Sequence, residues 1–367
     1  MNVKWEQRKL GDVAKVTMGQ SPSSKNYTDN PNDYVLVQGN ADLKSNEISP
    51  RVWTKEVTKQ VHKGEFIMTV RAPVGYLAMA NMDAVIGRGV AAIDGNKYLY
   101  YLLQTKLLDR TWEKLSSGST FESISSNDIK NLEIKVTETE EEKLIAKLMD
   151  TVTYFVTLQQ RKLEQLKQLK KAMLQQLFVD KNNKQPNLRF KNFNGDWEQR
   201  KLGEVIELED NKRKPVKASK RIPGNIPYYG ANGVQDYVKG YTHTGEHVLV
   251  AEDGANSIFN YPVYFICSPS WINNHSHVLT GKRSIISNKF LTYDLKTVPY
   301  AKYLVGSGRY KLNAETLKII PIKLPLLTEQ NYIGSTLSKI DTLITLQQNK
   351  LTQLTTLKKY LLQKMFI

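Results

Sequence analysis

The chain has 367 residues, one cysteine and a formal net charge of +16, with a sequence pI of about 9.5. The single cysteine, Cys267, excludes an intrachain disulfide and a cysteine-based zinc site, and is typical of a reducing compartment. The positive charge favours a polyanionic partner such as nucleic acid, although a lysine-rich surface can also confer solubility alone. The N-terminal residues lack the apolar core of a signal peptide, and no run of about 18 apolar residues occurs. We therefore expect a cytoplasmic protein that makes no membrane contact.

The first 137 residues are predicted to form one globular module. Its opening segment is Trp5-Glu-Gln-Arg-Lys-Leu-Gly11. The elements predicted after it are a polar loop at 19–31, a buried strand at 34–37, a strand with a tight turn at 64–75, a helix at 94–116, a polar loop at 118–124 and a returning strand at 132–136. Strands and helices mix without a regular βαβ alternation, which indicates an α+β module.

A long amphipathic helix is predicted over residues 138–179. Neither glycine nor proline interrupts Leu158–Phe178, and β-branched residues are few. The apolar residues advance by three and four positions, so they form one stripe with lysine and glutamine on the other faces. The predicted stripe comprises Val152, Phe155 or Val156, Leu163, Leu166, Leu169, Met173 and Leu177.

The second half of the chain is predicted to contain a linker at 180–196, a second module at 197–325 and a second long helix at 326–367. The linker is rich in asparagine and lysine. The predicted elements of the module are a loop at 208–215, a turn-rich aromatic segment at 226–233, a strand at 245–254, a short helix near 300–305, a loop at 306–311 and a returning strand at 319–325. Their order follows that of the first module.

The two halves also repeat each other in sequence. Trp5–Gly11 returns as Trp197–Gly203, an offset of 192 residues, and Leu158–Phe178 returns as Leu346–Phe366, an offset of 188 residues. A period this long is typical of duplicated domains and not of a solenoid. The chain is therefore interpreted as one unit, a module followed by a helix, written twice.

Two histidine patterns could suggest a metal site. His243-Thr-Gly-Glu-His247 matches a zinc signature, but that chemistry needs both histidines on one helical turn, and Gly245 lies at the start of a predicted strand. His275 and His277 are expected to lack a nearby carboxylate and are interpreted as a loop pair. We expect no metal site.

Other catalytic patterns are equally weak. Asp128 with Glu133-Ile-Lys135 loosely resembles a nuclease site, but the second copy has Pro321-Ile-Lys323. The sequence contains no Gly-x-x-x-x-Gly-Lys-Ser/Thr phosphate loop and no Asn/Asp-Pro-Pro-Tyr/Phe tetrapeptide, which is expected of an adenine methyltransferase. We therefore expect no catalytic residue in this chain.

Two segments accompany the repeated opening segment: Gly64-Glu-Phe-Ile-Met-Thr-Val-Arg-Ala-Pro-Val-Gly75, and Pro325-Leu-Leu-Thr-Glu-Gln330, which leads into the second helix. With these three features the whole chain resembles the specificity subunit of a type I restriction–modification system. The first copy departs from this pattern, with Val136-Thr-Glu-Thr-Glu-Glu-Glu142 before its helix.

The resemblance implies a non-catalytic DNA-binding subunit with two target recognition domains, each reading one half of a split double-stranded DNA sequence. It implies two modification subunits that bind S-adenosylmethionine and flip an adenine out of the duplex to methylate it. Two restriction subunits, which use ATP and magnesium, would complete the complex. This chain itself would bind no cofactor.

The helices are expected to pair as an antiparallel coiled coil. A helix from about Glu140 to Phe178 spans about 58 Å. The chain leaves the first module along one helix and must return from the second module along the other. The half-sites would then lie about one DNA turn, roughly 34 Å, apart or somewhat more.

Loop residues able to bind DNA are predicted in both modules, with Arg, Asn and Gln reading bases and Lys neutralising phosphates. In the first module they are Gln20, Ser21, Lys25, Tyr27, Arg71, Arg88, Ser119 and Thr120. In the second they are Lys212, Arg213, Lys214, Tyr228, Tyr229, Asn232, Asn256, Arg309, Tyr310 and Lys311.

The modification subunits are predicted to bind a repeated polar face of the helices, comprising Gln159, Gln160, Lys162, Gln347, Gln348 and Lys350. Two other functions stay open at this point. One is a stand-alone DNA-modifying enzyme, and the other is a coiled-coil scaffold without sequence preference.

Overall fold

The computed structural model describes residues 5–116, 123–180, 183–306 and 310–366. The chain divides into two compact units. Unit 1 combines residues 1–160 with 350–367, and unit 2 comprises residues 161–349. Each unit therefore contains one globular module and parts of both long helices.

Unit 1 is built on three sheets. The opening strand Glu6–Lys9 pairs antiparallel with the closing strand Glu133–Val136. A six-stranded sheet has the order Lys15–Met18, Val90–Asp94, Phe66–Thr69, Leu77–Met79, Glu47–Ile48 and Leu43–Lys44. A five-stranded sheet has the order Tyr27–Thr28, Trp53–Thr54, Tyr34–Val37, Ala84–Ile86 and Gln60–Val61. The helices of this module are Leu10–Val13, Lys97–Leu108, Thr111–Leu115 and Ser126–Lys130, with 3₁₀ turns at Ser24–Asn26 and Asn40–Asp42.

Unit 2 repeats this plan with fewer strands. The opening strand Glu198–Lys201 pairs antiparallel with the closing strand Pro321–Leu324. A four-stranded sheet has the order Ile206–Leu208, Ser276–Gly281, His247–Ala251 and Val263–Ile266, and a three-stranded sheet the order Gly233–Val238, Pro223–Gly230 and Trp271–Ile272. The helices are Leu202–Val205, Asn288–Leu295 and Ala314–Lys318, with 3₁₀ turns at Asp210–Lys212, Ala218–Lys220 and Tyr300–Lys302.

Three local predictions need correction. The helix predicted at 94–116 is two helices, because Arg110 adopts a left-handed conformation with φ +59° between them. The turn-rich segment predicted at 226–233 is mostly strand, paired along its length with Gly233–Val238. The helix expected near 300–305 is only a 3₁₀ turn, and the α-helix of this region lies earlier, at Asn288–Leu295.

Two long helices are present where the repeat predicts them, at Thr139–Gln176 and Leu327–Met365. Within unit 1, Ile145 and Met149 of the first helix share a core with Leu362 of the second. Within unit 2 the repeat-equivalent residues Ile333 and Leu337 share a core with Leu177 and Phe178, and Leu174 packs against it. Each unit thus uses the start of one helix and the end of the other, while the antiparallel coiled coil as a whole stays a prediction.

A tyrosine anchors each module to its following helix. In unit 1 the Tyr101 hydroxyl donates to Asp150 at 2.7 Å and lies 3.5 Å from the Thr153 hydroxyl. In unit 2 the Tyr293 hydroxyl donates to Asp341 at 2.8 Å, and Ser338 hydrogen-bonds to it as well. Residues 150 and 153 correspond to 338 and 341 in the repeat, so the aspartate and the hydroxyl residue have exchanged places.

The stripe predicted on the first helix is correct at some positions and wrong at others. Val152 and Leu163 are 7% and 6% exposed. Phe155 and Leu169 are instead 45% and 48% exposed, while Gln159 is buried. Val152, Gln159 and Leu163 are therefore buried and Val156 is half-buried, so the glutamine lies on the same face of the helix as these apolar residues.

Asp294, at the end of its helix, gives the first testable prediction. It is buried, and burial raises the pKa of its carboxyl group to about 7. The unfolded chain loses this proton near pH 4, so the folded state becomes less stable as pH rises from 4 to 7, by at most about 4 kcal/mol. We expect Asp294→Asn to raise the melting temperature at pH 8 and to leave it nearly unchanged at pH 4. Asp12→Asn, at an exposed site, should change it little at either pH; equal shifts at both pH values for Asp294→Asn would contradict the assignment.

Candidate nucleic-acid interface

The structure brings several predicted residues of unit 1 together at the ends of its strands. The Ser21 hydroxyl accepts a hydrogen bond from the Arg88 backbone amide at 3.2 Å. Gln20 lies beside them, since its amide donates to the Ile86 carbonyl at 2.8 Å. Both Gln20 and Arg88 have exposed side chains. One surface thus presents an amide and a guanidinium, the groups that read adenine and guanine.

Glycines allow this close approach of chain segments. A Cβ atom on Gly19 would lie 2.1 Å from the Gly87 carbonyl oxygen, and one on Gly89 would lie 2.1 Å from the Gln38 carbonyl oxygen. No other residue type fits these distances without moving backbone. The Gly87-Arg88-Gly89 turn therefore projects Arg88 from a closely packed base.

Arg71 joins the same surface of unit 1. The Val70 amide donates to the Gly89 carbonyl at 2.9 Å, which places the exposed Arg71 next to the Arg88 turn. Lys25 is exposed on its 3₁₀ turn, and Tyr27 is half-buried in the adjoining strand. Glu56 holds this segment by accepting from the Ser23 amide and the Asn26 side chain. Ser119 and Thr120 lie outside the described residues.

In unit 2 hydrogen bonds connect three predicted loops. The Asn232 side chain donates to the Gly254 carbonyl at 2.9 Å and accepts from the Asn256 amide at 2.9 Å. Lys311 forms an ion pair with Glu252 at 3.1 Å. Asn232, Asn256, Tyr310 and Lys311 are all exposed, so these loops form a second surface bearing amides and a cation. Arg309 lies outside the described residues.

Arg213, which was predicted to contact DNA, is held by ion pairs inside unit 2. Its side chain is 14% exposed and lies 2.7 Å from Glu252 and 3.3 Å from Asp210. It also donates to the Ser276 carbonyl at 2.8 Å. Burial alone would raise the pKa of Glu252, but hydrogen bonds from Arg213 and Lys311 hold that pKa below its usual value. Arg213 therefore fixes the loop from inside the module.

The neighbours of Arg213 in the sequence are accessible. Lys212 is exposed and paired with Glu209 on its own 3₁₀ turn. Lys214 is exposed, and its carbonyl accepts from the Trp271 indole at 2.7 Å, which orients the backbone. Both lysines remain candidates for phosphate contacts.

The two aromatic predictions in unit 2 have different outcomes. Tyr228 is 1% exposed, and its hydroxyl accepts from the Val216 amide at 3.0 Å. The Arg221 guanidinium lies over its ring at 4.1 Å. Tyr228 is therefore a core residue, and its prediction as a DNA contact is wrong. Tyr229 packs against a small core but keeps part of its surface exposed, so it stays a prediction.

The histidines of unit 2 take part in internal hydrogen bonds. His243 and His247 do not share a helical turn, because His247 begins a strand and Gly245 has φ +92°. The interpretation of His275 and His277 as lacking carboxylates is wrong. His275 lies 2.5 Å from Asp253, and His277 lies 2.5 Å from Asp210, through contacts between segments distant in sequence.

One cluster of the described residues, Asp210, Glu252 and His277, has possible ligand atoms within 4.8 Å of one another. Arg213 pairs with both carboxylates, and Lys311 pairs with Glu252. His277 hydrogen-bonds with Asp210 on one side and with the Leu312 carbonyl on the other. The cations of the chain itself balance the carboxylates, so the cluster fits an internal ion-pair network and not a metal centre.

The predicted partner-binding face is only partly accessible. Gln160, Lys162, Gln348 and Lys350 are exposed, and Gln347 is half-buried. Gln159 is 4% exposed, so its assignment to an exposed face is wrong. The Oε1 atoms of Gln159 and Gln347, which are equivalent in the repeat, are both buried without a hydrogen-bond partner among the described residues.

The sequence analysis did not identify several exposed apolar residues, among them Phe259 in unit 2 and a set on the long helices. Phe259 is 93% exposed in the loop after Ala251. On the helices, Leu144 and Phe155 are exposed, and so are their repeat equivalents Tyr332 and Leu343. The local sequence does not show that an apolar side chain is exposed, because the same residue types form the hydrophobic core.

These features define a duplicated α+β protein whose two modules each present a loop surface bearing amides and cations. The sequence matches, over residues 2–168 and 194–356, the family described as Type I restriction modification DNA specificity domain. Because these two matches cover most of the chain, the chain belongs to this family.

Individual proteins agree with this assignment. A protein of Haemophilus influenzae named as a type I restriction enzyme specificity subunit is 46% identical over 142 residues, which cover 39% of this chain and 37% of that protein. The Type I restriction enzyme MjaIX specificity subunit of Methanocaldococcus jannaschii is 28% identical over 247 residues, covering 61% of this chain and 56% of that protein. The matched regions thus span between about a third and just over half of these relatives.

The fold is also found in a solved structure. The type I restriction–modification S subunit from M. genitalium superposes with a TM-score of 0.76 at 19% identity, covering 100% of this chain and 97% of that chain. At this identity the likeness concerns the fold. Among the described residues, no helix is both long and apolar enough to cross a membrane.

Proposed function

We propose that this chain is the DNA-reading subunit of a type I restriction–modification complex, and that each unit reads one half of a split target. The observation that carries the proposal is the duplication of a module whose strand ends gather amide side chains, with guanidinium groups beside them in unit 1. In unit 1 these are Gln20, Arg71 and Arg88, and in unit 2 they are Asn232 and Asn256. Arg bidentate to guanine and Asn or Gln to adenine would supply base discrimination, with Lys25, Lys214 and Lys311 neutralising phosphates.

Catalysis is assigned to partners in this proposal. Two modification subunits would bind S-adenosylmethionine and methylate adenine, and two restriction subunits would use ATP and magnesium to translocate and cut. This chain would position them on double-stranded DNA in the cytoplasm.

Mapping of methylated bases in cells with and without this gene tests the function. We expect methylation of an interrupted, asymmetric sequence that disappears when the gene is removed. Methylation or cleavage by the purified chain alone, with S-adenosylmethionine or magnesium, would instead support a stand-alone enzyme. A scaffold without sequence preference would give no specific motif even with its partners present.

Repeated apolar residues on the helices support docking of two copies of one partner. Leu144, Leu148 and Phe155 are 68%, 41% and 45% exposed at a spacing of four and seven, so they share one face of the first helix in unit 1. In unit 2 the equivalent positions Tyr332 and Leu343 are 53% and 45% exposed. Exposed apolar stripes of this kind mark protein interfaces. We assign the docking to these two repeated apolar faces, one in each unit.

If each repeated face binds one modification subunit, substitutions on one face should release one subunit and leave the other bound. We expect Leu144→Gln with Phe155→Gln to leave one modification subunit per chain, because the face of the second helix is unaffected. Tyr332→Gln with Leu343→Gln should likewise leave one, and the fourfold variant none. Native mass spectrometry of co-expressed proteins measures this directly. Leu188→Gln, which alters a linker residue 52% exposed, should retain two copies, and retention of two copies by the fourfold variant would refute the assignment.

A further inference from the structure

The loop between the strands His247–Ala251 and Val263–Ile266 presents Phe259 to solvent. Phe259 is 93% exposed, the largest exposed fraction among the large apolar side chains that the structure describes in this way. Leaving a phenylalanine ring in water is unfavourable by the transfer free energy of its apolar surface. A single exposed apolar residue is common on proteins, so its meaning depends on how the surrounding loop is built.

The loop is anchored at both ends. Before Phe259, Asn232 bonds to the Gly254 carbonyl and to the Asn256 amide, both at 2.9 Å. After it, Tyr261 is buried, donates to the Ala251 carbonyl at 2.9 Å and stacks on Tyr300 at 4.1 Å between ring centroids. The Asn260 amide also donates to the Ser257 hydroxyl at 3.0 Å. These contacts restrict the movement of the segment that carries Phe259 toward the surface of its own module.

The surroundings of Phe259 identify the kind of partner. The adjacent exposed residues Asn232, Asn256 and Asn260 are amides, and Lys311 lies against Glu252 at the base of the loop. A protein interface has a core of several apolar and aromatic residues, which this loop does not provide. An exposed phenylalanine among amides and a cation, with Tyr310 as a second exposed aromatic residue of this surface, is instead the composition of a wedge that enters the minor groove or stacks on a base.

We propose that Phe259 inserts between neighbouring base pairs of the half-site that unit 2 reads. This inference rests on the proposed function. Asn232 and Asn256, joined by the hydrogen bond from the Asn256 amide to the Asn232 side chain, would contact base edges or sugars on either side of the opened step. The free energy of unstacking depends on which two base pairs are separated. Insertion therefore adds discrimination between DNA sequences at a position that no polar side chain contacts.

The two units differ in this respect. The corresponding loop of unit 1, between Phe66–Thr69 and Leu77–Met79, is shorter and presents Arg71, and its Val74 is buried. Insertion is therefore confined to one half-site. This asymmetry supplies an internal control, because the unit 1 half-site lies in the same DNA molecule.

The test uses the complete complex and duplexes carrying the sequence found by methylation mapping, with 2-aminopurine replacing one adenine at a time. For the wild type we expect a fluorescence increase at one step of the unit 2 half-site, besides any signal from a flipped adenine. Phe259→Ala should abolish the increase at that step, leave the unit 1 half-site unchanged and weaken binding about 10- to 100-fold. Phe259→Trp should retain the signal. The melting temperature of Phe259→Ala should equal that of the wild type, because the ring is exposed.

Leu188→Ala removes a comparable exposed apolar side chain of unit 2 and should change neither fluorescence nor affinity. Equal fluorescence profiles and affinities for Phe259→Ala and the wild type would overturn the proposal. Loss of modification subunits from Phe259→Ala at unchanged DNA affinity would also overturn it, in favour of a protein contact. If the wild-type complex does not distinguish the mapped duplex from a scrambled one, the proposed function itself fails.

Discussion

A fragment ending at Phe178 should assemble into a symmetric dimer that directs methylation to an interrupted palindrome. The fragment keeps the first module and the first helix but loses residues 350–367, which complete unit 1. The segment at 161–178 repeats residues 349–366. Four residues of the second helix pack in the core of unit 1, namely Leu361, Leu362, Met365 and Phe366, and their equivalents in the first helix are Met173, Leu174, Leu177 and Phe178. A second copy of the fragment therefore supplies what the first has lost.

The dimer has true two-fold symmetry, so both recognition modules are identical. Its target should repeat the half-site of the first module in inverted orientation. Association of the fragments should depend on their concentration, because they lack the covalent tether of the intact chain. That tether supplies an effective concentration in the millimolar range. Sedimentation and methylation mapping with added modification subunits measure both properties. A fragment that remains monomeric, or an asymmetric target, would contradict antiparallel pairing of the helices.

Replacing Arg213 by methionine should destabilise unit 2 by about 3–5 kcal/mol, the usual loss when one member of a buried ion pair is removed. Asp210 and Glu252, 17% and 15% exposed, would keep His277 and Lys311 as side-chain partners but lose the guanidinium that pairs with both carboxylates. The loss should be greatest at neutral pH and smaller near pH 4, where protonation removes the uncompensated charge. Urea unfolding at both pH values measures it.

Lys214→Ala is the matched control in the same loop. Its side chain is exposed, so stability should change by less than about 0.5 kcal/mol. DNA binding should weaken, and the slope of log affinity against log salt should decrease by about one phosphate contact. The opposite pattern, with Arg213→Met stable but defective on DNA and Lys214→Ala without effect, would restore Arg213 as a DNA contact.

Sequence predicted the parts of this protein that depend on local pattern or on repetition. The long helices were found within three residues of their observed ends, because an uninterrupted three-four spacing of apolar residues is a strong helical signal. The closing strands were found because short apolar runs precede both helices.

The remaining features depend on contacts between distant residues. The ion pair between Arg213 and Glu252 and the hydrogen bond between His277 and Asp210 form only when strands from separate parts of the chain have paired. The local sequence around a lysine, an arginine or an asparagine is the same whether its side chain faces solvent or an internal carboxylate. The sequence therefore could not show that Arg213 is internal and Lys214 is exposed. The burial of Gln159 was missed for a related reason, since hydropathy assigns glutamine to the outside.

The exchanged aspartates give each helix a hydrogen-bond acceptor at the position where the tyrosine of its module arrives. Asp150 and Thr153 of the first helix, and Ser338 and Asp341 of the second, each offer one carboxylate and one hydroxyl to an incoming tyrosine. A chimera that joins the first module to the start of the second helix would still give Tyr101 an acceptor. Exchange of sequence between the two repeats would thus leave the tyrosine at the joint between module and helix with a hydrogen-bond acceptor.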